Sequence, residues 1–300
     1  MSPFDLRRLG AWGHLDSLSI DEARAYARRV DELGYGTLWV PETVGREPFT
    51  LLGLLAAATR EIRIGTSIVG IWGHDPQTTR MAAMTLHEAT GGRFVLGLGV
   101  SHLHLAQKLR GHTFDRPLTR MREYLAAYRA AIYRGPTVEG PEPLVLIAAL
   151  RERMLGLAAT DADGAFPYLV TPKRVAWMRG VLNAAAPAGG GPILAVSMPA
   201  VLETDSDAAR VAARAYLAPY LRTPAYQAGW LAQGFAEADW EKPGSDRLVD
   251  AMVAWGDADA MRARVAELVA SGADHVAVIP VGPDGTTEHL PVLEALAVAS

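Results

Sequence analysis

The stretch that most narrows the fold is residues 62–101, IRIGTSIVGIWGHDPQTTRMAAMTLHEATGGRFVLGLGVS. Two short apolar runs, Ile62–Val69 and Arg93–Gly99, flank a helix-like segment. Asp75 is placed to cap that helix, and Pro76 to be its first residue. Strand, crossover helix, strand is a parallel β-α-β unit. In such units chemistry is expected just past the carboxyl ends of the strands.

The same alternation runs through the chain. Short apolar runs at 6–12, 37–40, 62–68, 94–99, 144–147, 165–170, 193–201 and 275–279 read as strands, with helical patterns between them. Ser19 and Glu22 form a capping-box signature ahead of the first helix, which Gly34 stops. Eight strands alternating with helices predict an α/β fold, a (β/α)8 TIM barrel, as one domain over residues 1–300. A doubly wound open sheet is the rival. It is disfavoured because the first strand–helix turn carries no glycine-rich fingerprint. Residues 221–256 break the rhythm. They hold Tyr226, Trp230, Phe235, Trp240 and Trp255 among charges, and read as a helical insertion late in the chain.

Composition limits the partners. Half the residues are apolar and the net charge is −4, which gives no reason to expect nucleic acid or an acidic membrane. There is no cysteine, so disulfides and thiolate chemistry are excluded. The first ten residues lack the apolar core of a signal peptide, and Leu51–Thr59 is too short to cross a bilayer. A soluble, cytoplasmic protein is expected.

In a barrel the residues closing each strand meet at one mouth. Here they are Trp12, Gly13 and His14; Glu42 and Thr43; Ser67, Ile68, Trp72 and His74; Val100, Ser101, His102 and His104; and Tyr168. Aromatic, histidine-rich and poor in charge, this mouth suits a flat conjugated ligand better than a sugar phosphate held by lysines. Several of these residues have an equally plain structural role. Glu42 could cap the helix beginning near Phe49. Trp12 and Trp72 could be core aromatics. Gly97-Leu98-Gly99 could mark close strand packing or a backbone open to a ligand. Asp163-Gly164-Ala165 could be an ordinary turn or a phosphate cradle. His102 and His104, two apart, lack metal-ligand spacing, so no metal is expected. His87 and His275 read as structural.

With these residues assembled, the chain resembles the bacterial luciferase-like (β/α)8 flavin and deazaflavin oxidoreductases. The carrying residues are Glu32-Leu33-Gly34-Tyr35 with Trp39-Val40-Pro41-Glu42, Ile64-Gly65-Thr66-Ser67-Ile68, Gly92 through His102, Ala162-Asp163-Gly164-Ala165, and Ser271 through Val276. More narrowly, Gly99-Val100-Ser101-His102, Tyr168 through Pro172, and Leu248 through Ala251 with Trp255-Gly256-Asp257 resemble an actinobacterial subgroup of F420-dependent oxidoreductases.

The resemblance implies a ring lying across the mouth on a bulge with a non-proline cis peptide, here Ser67-Ile68. It puts Thr43, Gly99, Val100 and Ser101 among the cofactor contacts, and Gly164-Ala165 with Arg151 at the cofactor phosphate. Trp12, Trp72, His74 and Tyr168 would wall the substrate. Sugar-phosphate dehydrogenases of this superfamily carry a histidine where Thr43 stands and a glutamate where His102 stands. Their reaction is therefore not carried over, and His102 with Glu42 nearby becomes the proton-transferring choice. The implied cofactor is F420, with FMN-dependent monooxygenation as the alternative and a barrel without a cofactor as a third reading. The implied partners are a small-molecule substrate and a second copy in a homodimer.

Overall fold

The computed structural model describes residues 9–103 and 105–297. Its strands are β1 (Gly10–Trp12), β2 (Thr37–Val40), β3 (Arg63–Thr66), β4 (Val69–Gly70), β5 (Phe94–Gly99), β6 (Leu144–Ile147), β7 (Gly164–Ala165), β8 (Ile193–Leu202), β9 (Ala254–Gly256) and β10 (His275–Val281). The order runs β10-β1-β2-β3-β5-β6-β7-β8, and β10 also pairs with β8, so eight strands close on themselves. Every pairing is parallel, including the closing registers Gly10↔Ala277 and His275↔Ala195. Helices alternate with the strands, as a TIM barrel requires.

The barrel interior is built around Trp39, which is fully buried and donates its indole N–H to His275 Nε2 at 3.0 Å. Phe166 meets it edge-on, with centroids 4.7 Å apart. Two glycines make room for this indole: a Cβ on Gly65 would lie 2.5 Å from its Cζ3, and one on Gly10 would lie 2.9 Å from its Nε1. Val95, Leu146, Ile193, Ala195 and Ala277 fill the rest. The larger apolar layer lies between the strands and the surrounding helices.

Local signals set the helix starts. Ser19 and Glu22 form the reciprocal capping box, and Asp75, Thr171 and Asp257 accept backbone N–H groups at their helix ends. The cap of helix Pro48–Ala56 is Glu47, not Glu42, with its carboxylate accepting from Phe49 and Thr50.

Three segments differ from the sequence expectation. The part of the 6–12 run before Leu9 lies outside the described residues. The third strand stops at Thr66, and the chain re-enters the sheet as β4 against β5. The sixth strand is only Gly164–Ala165: Phe166 N–H still donates to Ile147 O at 2.9 Å, after which the chain leaves the ladder and Leu169 turns it with a left-handed φ of 55°. Between helix Ser206–Leu217 and β9 the chain forms a 3-10 turn, Tyr220–Arg222, and three α-helices, Pro224–Leu231, Glu237–Trp240 and Asp246–Met252. Trp230, Leu248 and Val249 there bury against Val201, Ile279 and Val281 at the upper ends of β8 and β10. No described helix is long and apolar enough to cross a membrane.

Candidate active site

The bulge after β3 is held from every side. The peptide Ser67-Ile68 is cis. Ser67 N–H donates to Val40 O at 2.9 Å, and Trp12 Nε1–H donates to Ser67 O at 3.3 Å. Glu42 N–H donates to Ile68 O at 3.3 Å. Beneath the bulge, Thr66 Oγ1 and the Gly97 backbone exchange two bonds of 2.8 Å. A Cβ on Gly97 would stand 2.0 Å from Thr66 O, and one on Gly99 would stand 2.5 Å from Ile68 Cδ1. Gly97 and Gly99 therefore let β5 press against the bulge. Gly99 supports Ile68 from behind and is buried, so its backbone is not open to a ligand. Trp72 donates to Val100 O at 2.8 Å, and the next residue, Ser101, turns the chain with φ 54°.

A cleft opens beside this bulge, lined by Glu42, Thr43, Trp72, Ser101, Leu105 and Arg110 among others. The Glu42 carboxylate is nearly buried and has three partners: Gly70 N–H at 2.7 Å, His74 Nε2 at 2.9 Å, and the Arg110 guanidinium. Burial pushes this carboxyl up. The bonds from His74 and Gly70 and the charges of His74 and Arg110 outweigh it and hold the group below its ordinary range. Glu42 is thus an ionised anchor with its acceptors in use. Gly73 leaves space for the guanidinium, since a Cβ there would lie 2.3 Å from Arg110 Nη1. His74 sits behind Glu42, edge-on to Phe49 at 5.5 Å.

A depressed carboxyl stabilises the fold above its unfolded value, near 4.5, and that contribution is lost as pH falls through the folded value. Glu42→Gln is therefore expected to be less stable than the parent at neutral pH. The gap should narrow as pH falls below 4.5. Urea midpoints at neutral and acid pH check this, and a gap independent of pH would contradict it.

On the other side of the cleft, Thr43 is already engaged. Its Oγ1 donates to Asp16 Oδ2 at 2.6 Å and lies 3.1 Å from His14 Nε2. Asp16 also accepts from Arg46 N–H at 3.1 Å. Burial pushes the Asp16 carboxyl up, but the Thr43 and Arg46 bonds and the charges of His14 and Arg46 hold it low.

Past β5, the His102 ring meets the Tyr226 ring at 5.4 Å. Tyr226 lies edge-on to Tyr168 at 5.6 Å and to Tyr220 at 5.4 Å, and the Tyr168 hydroxyl bonds that of Tyr216. Burial and the neighbouring tyrosines push the Tyr168 and Tyr216 hydroxyls well above their ordinary range, so they stay protonated. His104 lies outside the described residues.

The phosphate assignment changes. Gly164 and Ala165 are buried ladder residues between β6 and β8, and a Cβ on Gly164 would fall 2.0 Å from Ile193 O. They pack strands together and offer no cradle at the mouth. Arg151 does stand at the mouth end of β6, preceding helix Glu152–Asp161, whose N-cap has no side-chain bond. Arg174 lies close by. Its guanidinium donates to Leu150 O at 2.8 Å and stacks 3.6 Å over the Trp177 ring. Burial holds this arginine below its ordinary range, and among the described residues no carboxylate pairs with it. Two cations beside an uncapped helix start suit an anionic group.

Sequence reasoning did not find Asp16, Arg110, Arg174 or Tyr226 in these roles. Each acts across a long sequence separation. The one available signal was the unusual length of the loop after β5, which carries Arg110.

Comparison with known proteins fits this geometry. The family model for luciferase-like monooxygenases matches residues 1–275. The 5,10-methylenetetrahydromethanopterin reductase of Archaeoglobus fulgidus is 27% identical over 303 residues, covering 88% of this chain and 91% of that protein. A phthiodiolone/phenolphthiodiolone dimycocerosates ketoreductase of Mycobacterium sp. (strain JLS) is 32% identical over 143 residues, covering 40% of this chain and only 37% of that protein. In fold, the chain is similar to the coenzyme F420-dependent tetrahydromethanopterin reductase of Methanopyrus kandleri, with TM-score 0.74, 18% identity, and 97% and 98% of the two chains covered. It is equally similar to a type II Baeyer–Villiger monooxygenase from Pseudomonas putida in complex with FMN, with TM-score 0.74, 16% identity, and 97% and 96% covered. The barrel with its bulged third strand and this family match agree: the chain belongs to the luciferase-like monooxygenase family of oxidoreductases.

Proposed function

We propose that the protein is an F420-dependent oxidoreductase that moves a hydride between the deazaflavin and a small, mostly apolar organic substrate. The observation that carries this reading is the Ser67-Ile68 bulge, buttressed by Gly97 and Gly99 and tied to Trp12 and Glu42. It is a rigid, half-buried ledge at the barrel mouth, suited to the flat ring of a deazaflavin or flavin. Arg151 and Arg174 beyond β6 suit the anionic end of such a cofactor. The cofactor, when bound, supplies the hydride chemistry.

The chain's own residues would do the rest. Ser67, Ile68, Val100 and Ser101 would bear the ring. Trp12, Trp72 and Tyr168 would wall the substrate and exclude water. Glu42, fixed as an anion, would hold Arg110 and the loop after β5 over the cleft. His102 would hold or release a proton, since an imidazole titrates near neutral pH. The same reading takes the protein as a cytoplasmic homodimer.

The test is turnover. Reduced F420 is incubated with acetone, cyclohexanone and cyclohex-2-enone, and its oxidation is followed by absorbance; parallel reactions use reduced FMN with oxygen. Substrate-dependent oxidation of reduced F420 supports the reading. Oxygen-dependent product formation with reduced FMN alone would favour the monooxygenase reading instead.

A further inference from the structure

Besides His74 and His102, the mouth holds His14 in a built setting. His14 follows β1, and its backbone N–H donates to Thr287 Oγ1 at 3.2 Å. Its Nε2 lies 3.0 Å from Asp16 Oδ2 and 3.1 Å from Thr43 Oγ1. Asp16 is itself pinned through both oxygens, by Arg46 N–H on Oδ1 and by Thr43 on Oδ2. Gly45 shows that the chain makes room for this carboxylate, because a Cβ there would lie 2.2 Å from Asp16 Oδ2. Thr43 Oγ1 also receives Gly45 N–H at 3.4 Å, so its own hydroxyl is fully engaged.

This setting decides where the imidazole can act. A carboxylate at 3.0 Å from Nε2 places the proton on that nitrogen in the neutral ring. Nδ1 then carries the lone pair. Among the described residues Nδ1 has no protein partner and it is not buried, and the side chain is 42% exposed. His14 Nε2 lies against Thr43, a residue of the cleft wall, and the chain runs from Trp12 through Gly13 to His14; the Trp12 indole N–H donates to the Ser67 carbonyl. An acceptor nitrogen oriented from behind by a carboxylate is the arrangement of a general base.

We infer that His14, oriented by Asp16, is a general acid/base of this site, exchanging a proton with the substrate through Nδ1. The inference deepens the proposed function and rests on it. Oxidising an alcohol to a carbonyl compound removes a hydride and a proton from different atoms. The C–H pair leaves as hydride to the deazaflavin acceptor. The O–H bond breaks, its proton passes to His14 Nδ1, and its electrons form the C=O bond. In the reverse direction His14 returns the proton to oxygen. A deazaflavin, when bound, would exchange a proton as well as a hydride, which gives a second acid/base a place at the mouth. His14 takes the substrate side, and His102 is left for the cofactor side. Asp16 is a positioning residue: it acts through the ring it orients.

The test uses the full chain and two independent readouts. Nitrogen-15 NMR of the free protein above pH ~8, where an ordinary imidazole is neutral, reads the His14 tautomer, with the signals assigned by their loss in His14→Gln. The expected state is Nε2-protonated, and Asp16→Asn should shift population toward the other tautomer. In the assay with reduced F420 and the three carbonyl compounds, His14→Gln is expected to slow turnover by about 10²-fold, with F420 affinity by fluorescence changed less than about twofold. Asp16→Asn should slow it by a smaller factor. An Nδ1-protonated wild-type ring, or His14→Gln turnover within about twofold of the parent, overturns the inference. Wild-type protein that binds neither F420 nor FMN overturns the functional reading beneath it, while the tautomer still reports on the Asp16–His14 pair.

Discussion

His102→Ala is expected to slow turnover by about 10³-fold while leaving F420 affinity within about twofold. His102 stands just beyond β5, after the left-handed Ser101, so the backbone itself presents it at the mouth. Its ring packs on Tyr226, which is held in turn against Tyr168 and Tyr220. This packing gives the imidazole a fixed neighbour at the mouth, and general acid–base catalysis needs a positioned side chain. Glu42, the other strand-end candidate, is occupied by Gly70, His74 and Arg110 and is held ionised, and His14 is assigned to the substrate side. The substitution removes the imidazole proposed to carry the cofactor-side proton and leaves the ledge at Ser67-Ile68 in place. Steady-state rates at saturating cofactor, with a parallel fluorescence titration, separate the two effects. Unchanged turnover would remove His102 from the mechanism.

Gly97→Ala is expected to destabilise the protein by at least about 3 kcal/mol. The added methyl would stand 2.0 Å from Thr66 O and 3.0 Å from Thr66 C, both backbone atoms that cannot rotate away. Relief requires β5 and the bulge after β3 to separate, which breaks the pair of 2.8 Å bonds between Thr66 and Gly97. It also lifts the ledge, so any folded fraction should bind cofactor poorly. Gly53→Ala is the control: a Cβ there meets only Leu86 Cδ2, at 3.7 Å, inside helix Pro48–Ala56. Urea unfolding of both variants checks the contrast, and equal midpoints would contradict it.

The barrel was legible because its signals are local and periodic. Alternating apolar runs, the Ser19–Glu22 capping box and the Asp75-Pro76 start each lie within a few residues of what they specify. The sixth strand was overestimated because Phe166 and Leu169 are apolar for a different reason: Phe166 packs on Trp39 inside the barrel, and Leu169 joins the cluster under the late helices. The mouth residues were legible as strand ends, but their partners were not. Glu42 finds Arg110 and His74, Thr43 finds Asp16 and His14, and His102 finds Tyr226 only when the strands close into a ring. No spacing rule links such residues. Gly97-Leu98-Gly99 shows the same limit. The motif allowed either close packing or an open backbone, and only the position of Thr66 and Ile68 decides for packing.

The central claim is that the ledge at Ser67-Ile68, with the arginines beyond β6, receives F420. Titrating the cofactor-free protein with F420 and with FMN, following the fluorescence of each, tests it most directly. The account predicts a saturable change with F420, weakened in Arg174→Ala. Tight FMN binding with no response to F420 would contradict it.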